Sequence, residues 1–113
     1  MSTTTTVTAS HASALSRLGH MLSDGTRTQI LLALREGPAR PSELAARLGV
    51  TKQVMSNQLA CLRGCGLVAG EAQGRSTWYR LTDERIGSAL GDLLELAVTV
   101  DPGCCTPDGC TCR

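Results

Sequence analysis

A mainly α-helical chain carrying one short β-hairpin is the fold class this sequence predicts, and three observations predict it. Apolar residues recur at three- to four-residue spacing through five segments, spanning residues 11–22, 26–35, 41–48, 51–68 and 84–100. The third and fourth of these are short and separated only by Gly49-Val50, a tight turn. Two further runs, 67–72 and 76–81, read as short strands around Gln73-Gly74-Arg75. Two short helices joined by a glycine-containing turn and followed by a hairpin make a winged helix-turn-helix with a two-stranded wing.

Residues 1–10, MSTTTTVTAS, are Ser/Thr-rich with little to bury and are expected to form a disordered leader. In 11–22 the residues Ala14, Leu15, Leu18, Met21 and Leu22 mark an amphipathic helix. Ser23 or Asp24 then caps a second helix over 26–35, whose ILLAL stretch is apolar nearly all round and therefore central; Glu36-Gly37-Pro38 ends it. Pro41-Ser42-Glu43 opens the third helix, with Leu44, Ala45 and Leu48 inward. Thr51 is the expected N-cap of the fourth, where Val54, Met55, Leu59 and Leu62 form the apolar face and Gly64 with Gly66 supplies the stop. Thr82 or Asp83 starts the last helix, whose stripe of Ile86, Leu90, Leu93, Leu94, Ala97 and Val98 is wider than one small core needs. Part of that stripe is available to a second copy of the chain, so a homodimer through the N-terminal and C-terminal helices is expected. The folded domain is expected to span 11–101, followed at 102–113 by a flexible cysteine-rich tail.

The net charge of +1 hides a segregation. Residues 40–80 hold six Lys or Arg against two Glu, whereas 81–113 hold two Arg against six Asp or Glu. A basic middle and an acidic end suit a chain whose middle faces phosphates. On the fourth helix the polar side chains Lys52, Gln53, Ser56, Asn57, Gln58 and Arg63 can donate to phosphates or base edges, and Arg75 at the wing tip is placed for a phosphate or minor-groove contact. Trp78 and Tyr79 are expected to pack rather than stack on a base, and His11 and His20 to lie on the surface or a dimer face. Double-stranded DNA is the expected macromolecular partner.

Six cysteines in 113 residues would suit a secreted disulfide scaffold if they were spread along the chain. Four lie after residue 103 and the other two, Cys61 and Cys65, are one helical turn apart, a distribution that suits ligands better than staples. The helix pair alone leaves an ion under-coordinated, and the tail is the source of a third thiolate, with Cys104 and Cys105 better placed than Cys110 and Cys112. Three sulfurs suit soft, large ions, Cd(II), Pb(II) or As(III), whereas structural Zn(II) normally takes four ligands. A thiol-redox switch is the competing chemistry, but a helix C-terminus does not activate a nucleophilic thiol. A cysteine-rich metal-sequestering or delivery protein without DNA binding is the other alternative; it has no use for the basic middle segment. No paired carboxylates, no nucleophile with a base at useful spacing and no glycine-rich phosphate loop are apparent, which argues against an enzyme. No apolar run approaches the length of a membrane span and no cleavable leader is present, so a cytoplasmic location is expected.

The stretches LSDGTRTQILLAL, PSELAARLGVTKQVMSNQLACLRGCGLV and QGRSTWYRL resemble the ArsR/SmtB family of dimeric winged-helix repressors, over roughly residues 12–100. The resemblance implies a homodimer that binds an inverted-repeat operator and leaves it when an effector binds. Many members sense through a Cys-x-Cys pair in the helix before the reading helix, and 43–48 here contains no cysteine. Others use Asp, His and Glu on the last helix, and 84–100 contains no histidine. CLRGC together with a cysteine beyond the last helix resembles the cadmium- and lead-sensing members. Gly25 stands where the family usually has Pro and Gln58 where it often has His, differences that touch a helix start and the reading face.

Overall fold

The computed structural model describes residues 8–97 and residue 99. Its elements are α1 (Ala9–Leu22), α2 (Gly25–Leu34), α3 (Pro41–Leu48), α4 (Lys52–Gly64), β1 (Val68–Gln73), β2 (Ser76–Leu81) and α5 (Glu84–Ala97). Residues 1–7 of the expected leader at 1–10, Val98 and Val100 toward the expected end of the last helix, and the whole of the expected tail, with Cys104, Cys105, Cys110 and Cys112, lie outside the described residues; the remaining leader residues, Thr8, Ala9 and Ser10, are instead the N-cap and start of α1.

Local capping sets the helix starts. Thr8 accepts from the His11 backbone N–H at 3.2 Å while the His11 ring accepts from Thr8 N, so α1 begins two residues earlier than its apolar pattern indicates. Asp24 caps α2 by accepting from Arg27 N at 3.1 Å, and this bond, ahead of the nearby Arg27 charge, holds its carboxyl below the ordinary value of 3.8. The sign follows from linkage: a depressed carboxylate pKa means the cap contributes above the ordinary carboxylate range and is lost as the pH falls through its folded value. Thr51 accepts from Val54 N at 3.1 Å and starts α4 as its sequence indicates. At the C-terminus of α3 the chain turns through Gly49 at φ 70°, a left-handed conformation that glycine adopts without a Cβ clash.

The core is one cluster of aliphatic side chains. α2 lies at its centre, with Ile30, Leu31, Ala33 and Leu34 buried, and packs against α1, α3, α4, α5 and β2. Leu44 and Ala45 enter from α3, Met55, Leu59 and Leu62 from α4, Val68 from β1 and Leu90 from α5. The expected inward face of α4 is corrected at one position. Val54 is 39% exposed, because the seam through Met55, Leu59 and Leu62 leaves its neighbour about 100° round the helix.

The wing is an antiparallel pair from Val68↔Leu81 to Gln73↔Ser76, closed by Gly74-Arg75. The first strand begins at Val68 rather than Leu67. Periodicity did not reveal one further feature: Ala39 pairs with Tyr79, donating at 3.0 Å and accepting at 2.8 Å, so the connection between α2 and α3 is stitched to the wing's inner edge. Trp78 and Tyr79 are half-buried in the hairpin, with Arg40 5.3 Å over the Trp78 ring, so both pack as expected.

The two terminal helices are under-buried. In α1 only Met21 is buried and Leu15 is 67% exposed; in α5 only Leu90 is buried, and Leu93, Leu94 and Leu96 are all exposed. A groove of about 400 Å³ between them is lined by Leu18, Leu22, Ile86, Ala89, Leu90 and Leu93. Leu59→Ala, which removes a fully buried side chain from the seam that orients α4, should cost about 2 to 5 kcal/mol in denaturant unfolding. Leu15→Ala should leave the monomer's own core intact, and the two curves measured side by side check both expectations.

Candidate functional site

Three faces of α4 do different things, and the helical repeat separates them. At roughly 100° per residue, Met55, Leu59 and Leu62 share the buried face, Lys52, Gln53, Ser56 and Asn57 the outer face, and Val54, Gln58, Cys61 and Cys65 a stripe between them on one side. Lys52, Gln53, Ser56 and Asn57 are all exposed. Gln53 donates from Nε2 to Asn57 Oδ1 at 2.9 Å, a bond between successive turns. Arg63 is exposed in the last turn on the Lys52 and Ser56 side, away from the cysteines, and Arg75 is exposed at the wing tip.

The basic character of the middle segment is partly spent on structure. Arg40 pairs with Glu43 and Arg47 with Glu36, both at 2.9 Å. Among the described residues Lys52, Arg63 and Arg75 make no ion pair, so their charge is directed at solvent or a ligand.

Gln58, expected among the reading residues, has partners of its own. Its Oε1 accepts from Arg27 Nη1 at 3.3 Å and its Nε2 donates to Asp24 Oδ2 at 3.4 Å, so both ends of the amide are turned to the start of α2. The reason is rotation: Gln58 lies on the cysteine side of α4, roughly 100° from Asn57. Arg27 ties this corner together, because its Nε also donates to the Met21 carbonyl at 3.0 Å and its Nη2 to the His20 carbonyl at 3.4 Å.

Cys61 and Cys65 are free, exposed thiols. Cys65 is not inside α4 but is its C-cap, still right-handed, and its N–H donates to the Cys61 carbonyl at 3.1 Å, which keeps the two residues in register one turn apart. The Cys65 thiol donates to Met21 Sδ across 3.6 Å. Met21 and Cys65 line a groove of about 650 Å³ with Ala14, Arg17, His20 and Leu67. Among the described residues no group of three His, Cys, Asp or Glu is gathered to hold an ion. Two free thiols, with the Met21 thioether against one of them and His20 lining the same groove, are donors that suit a soft ion better than a hard one.

The sequence places Asp24 as a cap and Met21 as an apolar position of α1 and gives Arg27 no role; Met21 meets Cys65 across 44 residues, so no local spacing announces the contact.

A winged helix-turn-helix with an outward polar helix, and with Lys52, Arg63 and Arg75 outside every ion pair among the described residues, has the architecture of a DNA-binding transcriptional regulator. The chain belongs to the ArsR family of bacterial regulatory proteins, whose family model matches residues 24–69. It is 49% identical over 89 residues to the HTH-type transcriptional regulator CmtR of Mycobacterium tuberculosis, covering 79% of this chain and 75% of that protein. Its structure is similar to the NMR structure of the cadmium metal-sensor CMTR from Mycobacterium tuberculosis, with a TM-score of 0.63 at 48% identity over 76% of this chain and 90% of that one. It is also similar to the homodimeric winged helix-turn-helix DNA-binding domain of Mb0332 from Mycobacterium bovis, with a TM-score of 0.73 at 26% identity over 87% and 91% of the two chains. Membership of this family sets aside a simple metal-sequestering protein. No described helix is long and apolar enough to cross a membrane.

The division of faces predicts three different lesions. Lys52→Ala should weaken DNA binding alike on all sequences and reduce the salt slope by about 1. Asn57→Ala should relax base preference, by about 1 to 3 kcal/mol at the position it reads. Gln58→Ala should leave base preference unchanged, since its amide is engaged with α2. Anisotropy titrations over a salt series against single-base operator variants separate the three; a base-specific loss in Gln58→Ala would return it to the reading set.

Proposed function

We propose that this chain is a metal-responsive repressor that binds an inverted-repeat operator as a homodimer and leaves it when Cd(II) or Pb(II) is taken up by Cys61 and Cys65 together with a cysteine of the tail, Cys104 or Cys105. The observation that carries the proposal is the pairing of two exposed, free thiols one turn apart on the helix that also presents Lys52, Gln53, Ser56 and Asn57. Similarity to a cadmium sensor supports the choice of ion, and paired thiols favour soft ions. As(III) shares that preference and is separated from Cd(II) and Pb(II) by titration.

Homodimerisation is supported by the exposed leucines of α1 and α5, which flank one apolar groove and have no role in the monomer's core. A dimer would set two α4 helices at half-sites about one turn of DNA apart. Lys52, Arg63 and Arg75 then meet phosphates while Gln53 and Asn57 face base edges.

Switching follows from the sharing of α4. Gln53 and Cys61 are eight residues apart, about 12 Å along the axis, so events at the thiol end lie within a few turns of the reading end. A bound ion supplies the positive charge that holds the thiolates together. Cys65 presses against Met21, Arg27 holds the Met21 carbonyl and also Gln58, and Gln58 returns to α4. Drawing Cys61 and Cys65 toward the tail would therefore load a corner that also fixes the pitch of the reading helix. A coupling of about 1 to 3 kcal/mol would lower operator affinity roughly 5- to 150-fold.

Cys61→Ser and Cys65→Ser should each leave a folded protein with unchanged operator affinity that is no longer released by Cd(II) or Pb(II), because serine is a hard donor of nearly the same shape. Deleting residues 104–113 should likewise preserve DNA binding and abolish release. Metal-dependent dissociation of labelled operator, with chelator controls, checks all three; normal release from either serine variant would sink the ligand assignment.

A further inference from the structure

We propose that the thioether of Met21 is a sulfur donor at the same site, joining Cys65 on the bound ion and biasing the site toward soft metals. The proposal rests on the reading of Cys61 and Cys65 as ligands and adds a donor that a search for cysteine, histidine and carboxylates passes over.

Four observations carry it. Met21 Sδ lies 3.6 Å from Cys65 Sγ. Two sulfurs about 2.3 Å from a tetrahedral zinc ion would lie roughly 3.8 Å apart, and a larger soft ion needs more, so shared coordination requires the pair to open from its present contact by side-chain rotation. Second, Met21 is the one buried residue of α1, yet it lines an open groove together with Cys65. Third, its backbone is anchored: the Met21 carbonyl accepts from Arg27 Nε at 3.0 Å, so the sulfur is adjusted through side-chain torsions alone. Fourth, the chemistry matches the neighbouring thiols. A thioether is a neutral, soft donor that carries no proton to be displaced, so it strengthens binding of a soft ion without competing with pH, and it offers little to a hard ion.

A consequence is that the ion would bridge α4 to α1 directly. The same sulfur contact that defines selectivity would then tie the reading helix to a helix whose outer face is the proposed dimer surface.

The test uses the full-length protein titrated with Cd(II) and, separately, with Zn(II) against a chelator of known affinity. Wild type, Met21→Leu, Cys61→Ser and Cys65→Ser are compared, with thiolate charge-transfer absorption and cadmium-113 NMR as readouts. Met21→Leu is expected to lower Cd(II) affinity about 10- to 100-fold, to change Zn(II) affinity much less, and to move the cadmium resonance in the direction of fewer sulfur donors. If the serine variants lose Cd(II) while Met21→Leu binds it with wild-type affinity and resonance, Met21 only packs and this proposal alone is overturned. If the serine variants bind Cd(II) normally, the ligand reading itself fails and takes this one with it. Should Met21→Leu unfold, selenomethionine-labelled wild type keeps the native packing. Selenium-edge absorption of its cadmium complex then shows a cadmium neighbour if the proposal holds and none if it does not.

Discussion

Burial of Met55, Leu59 and Leu62 is the constraint on which the rest of the molecule depends. These three side chains, all essentially inaccessible, fix the rotation of α4 about its own axis against α2 and α3. Once that rotation is set, the helical repeat alone decides that Lys52, Gln53, Ser56 and Asn57 face outward and that Gln58, Cys61 and Cys65 face the corner between α1 and α2. A rotation of one residue would bury a polar reader and expose a core leucine. The reading face and the thiol pair are therefore rigidly related, and neither can be reoriented without the other.

That corner is where polar and sulfur contacts substitute for apolar burial. Arg27 reaches the Met21 and His20 carbonyls and the Gln58 amide, while Asp24 both caps α2 and accepts from Gln58. These are part-buried single bonds of modest net strength, about 1 kcal/mol each, in contrast to the aliphatic seam behind them. α4 is thus held by apolar burial on its core face and by single polar contacts at its flank. The same economy is visible in α1, whose residues before Met21 are exposed and whose packing within one chain is slight. Its leucines and those of α5 are consistent with a core completed by a second copy.

How much of this was legible beforehand follows the range of each interaction. Helix and strand identities were legible because capping and periodicity act within a few residues: Thr51 with Val54, Pro41 at the start of α3, Gly49 at its end, Gly74 in the hairpin. The thiol pair was legible for the same reason, since a spacing of four residues on a helix is a local fact. The wing and the helix-turn-helix followed from the order of those elements, and with them the class of protein.

What only the tertiary structure decided were pairings between residues far apart in sequence. Gln58 has the composition of a reader, and nothing local distinguishes it from Asn57; its partners Asp24 and Arg27 lie 34 and 31 residues away on another helix. Val54 is as apolar as its neighbours and remains exposed because the seam is only three residues wide. Ala39 pairs with Tyr79 across 40 residues, and Met21 meets Cys65 across 44. Periodicity states which residues share a face of one helix, and by itself it determined the elements and the candidate ligands of this chain. Which face meets which partner depends on how several helices fill one volume, and packing, not local pattern, assigned Gln58 and Met21 to the corner beside the cysteines.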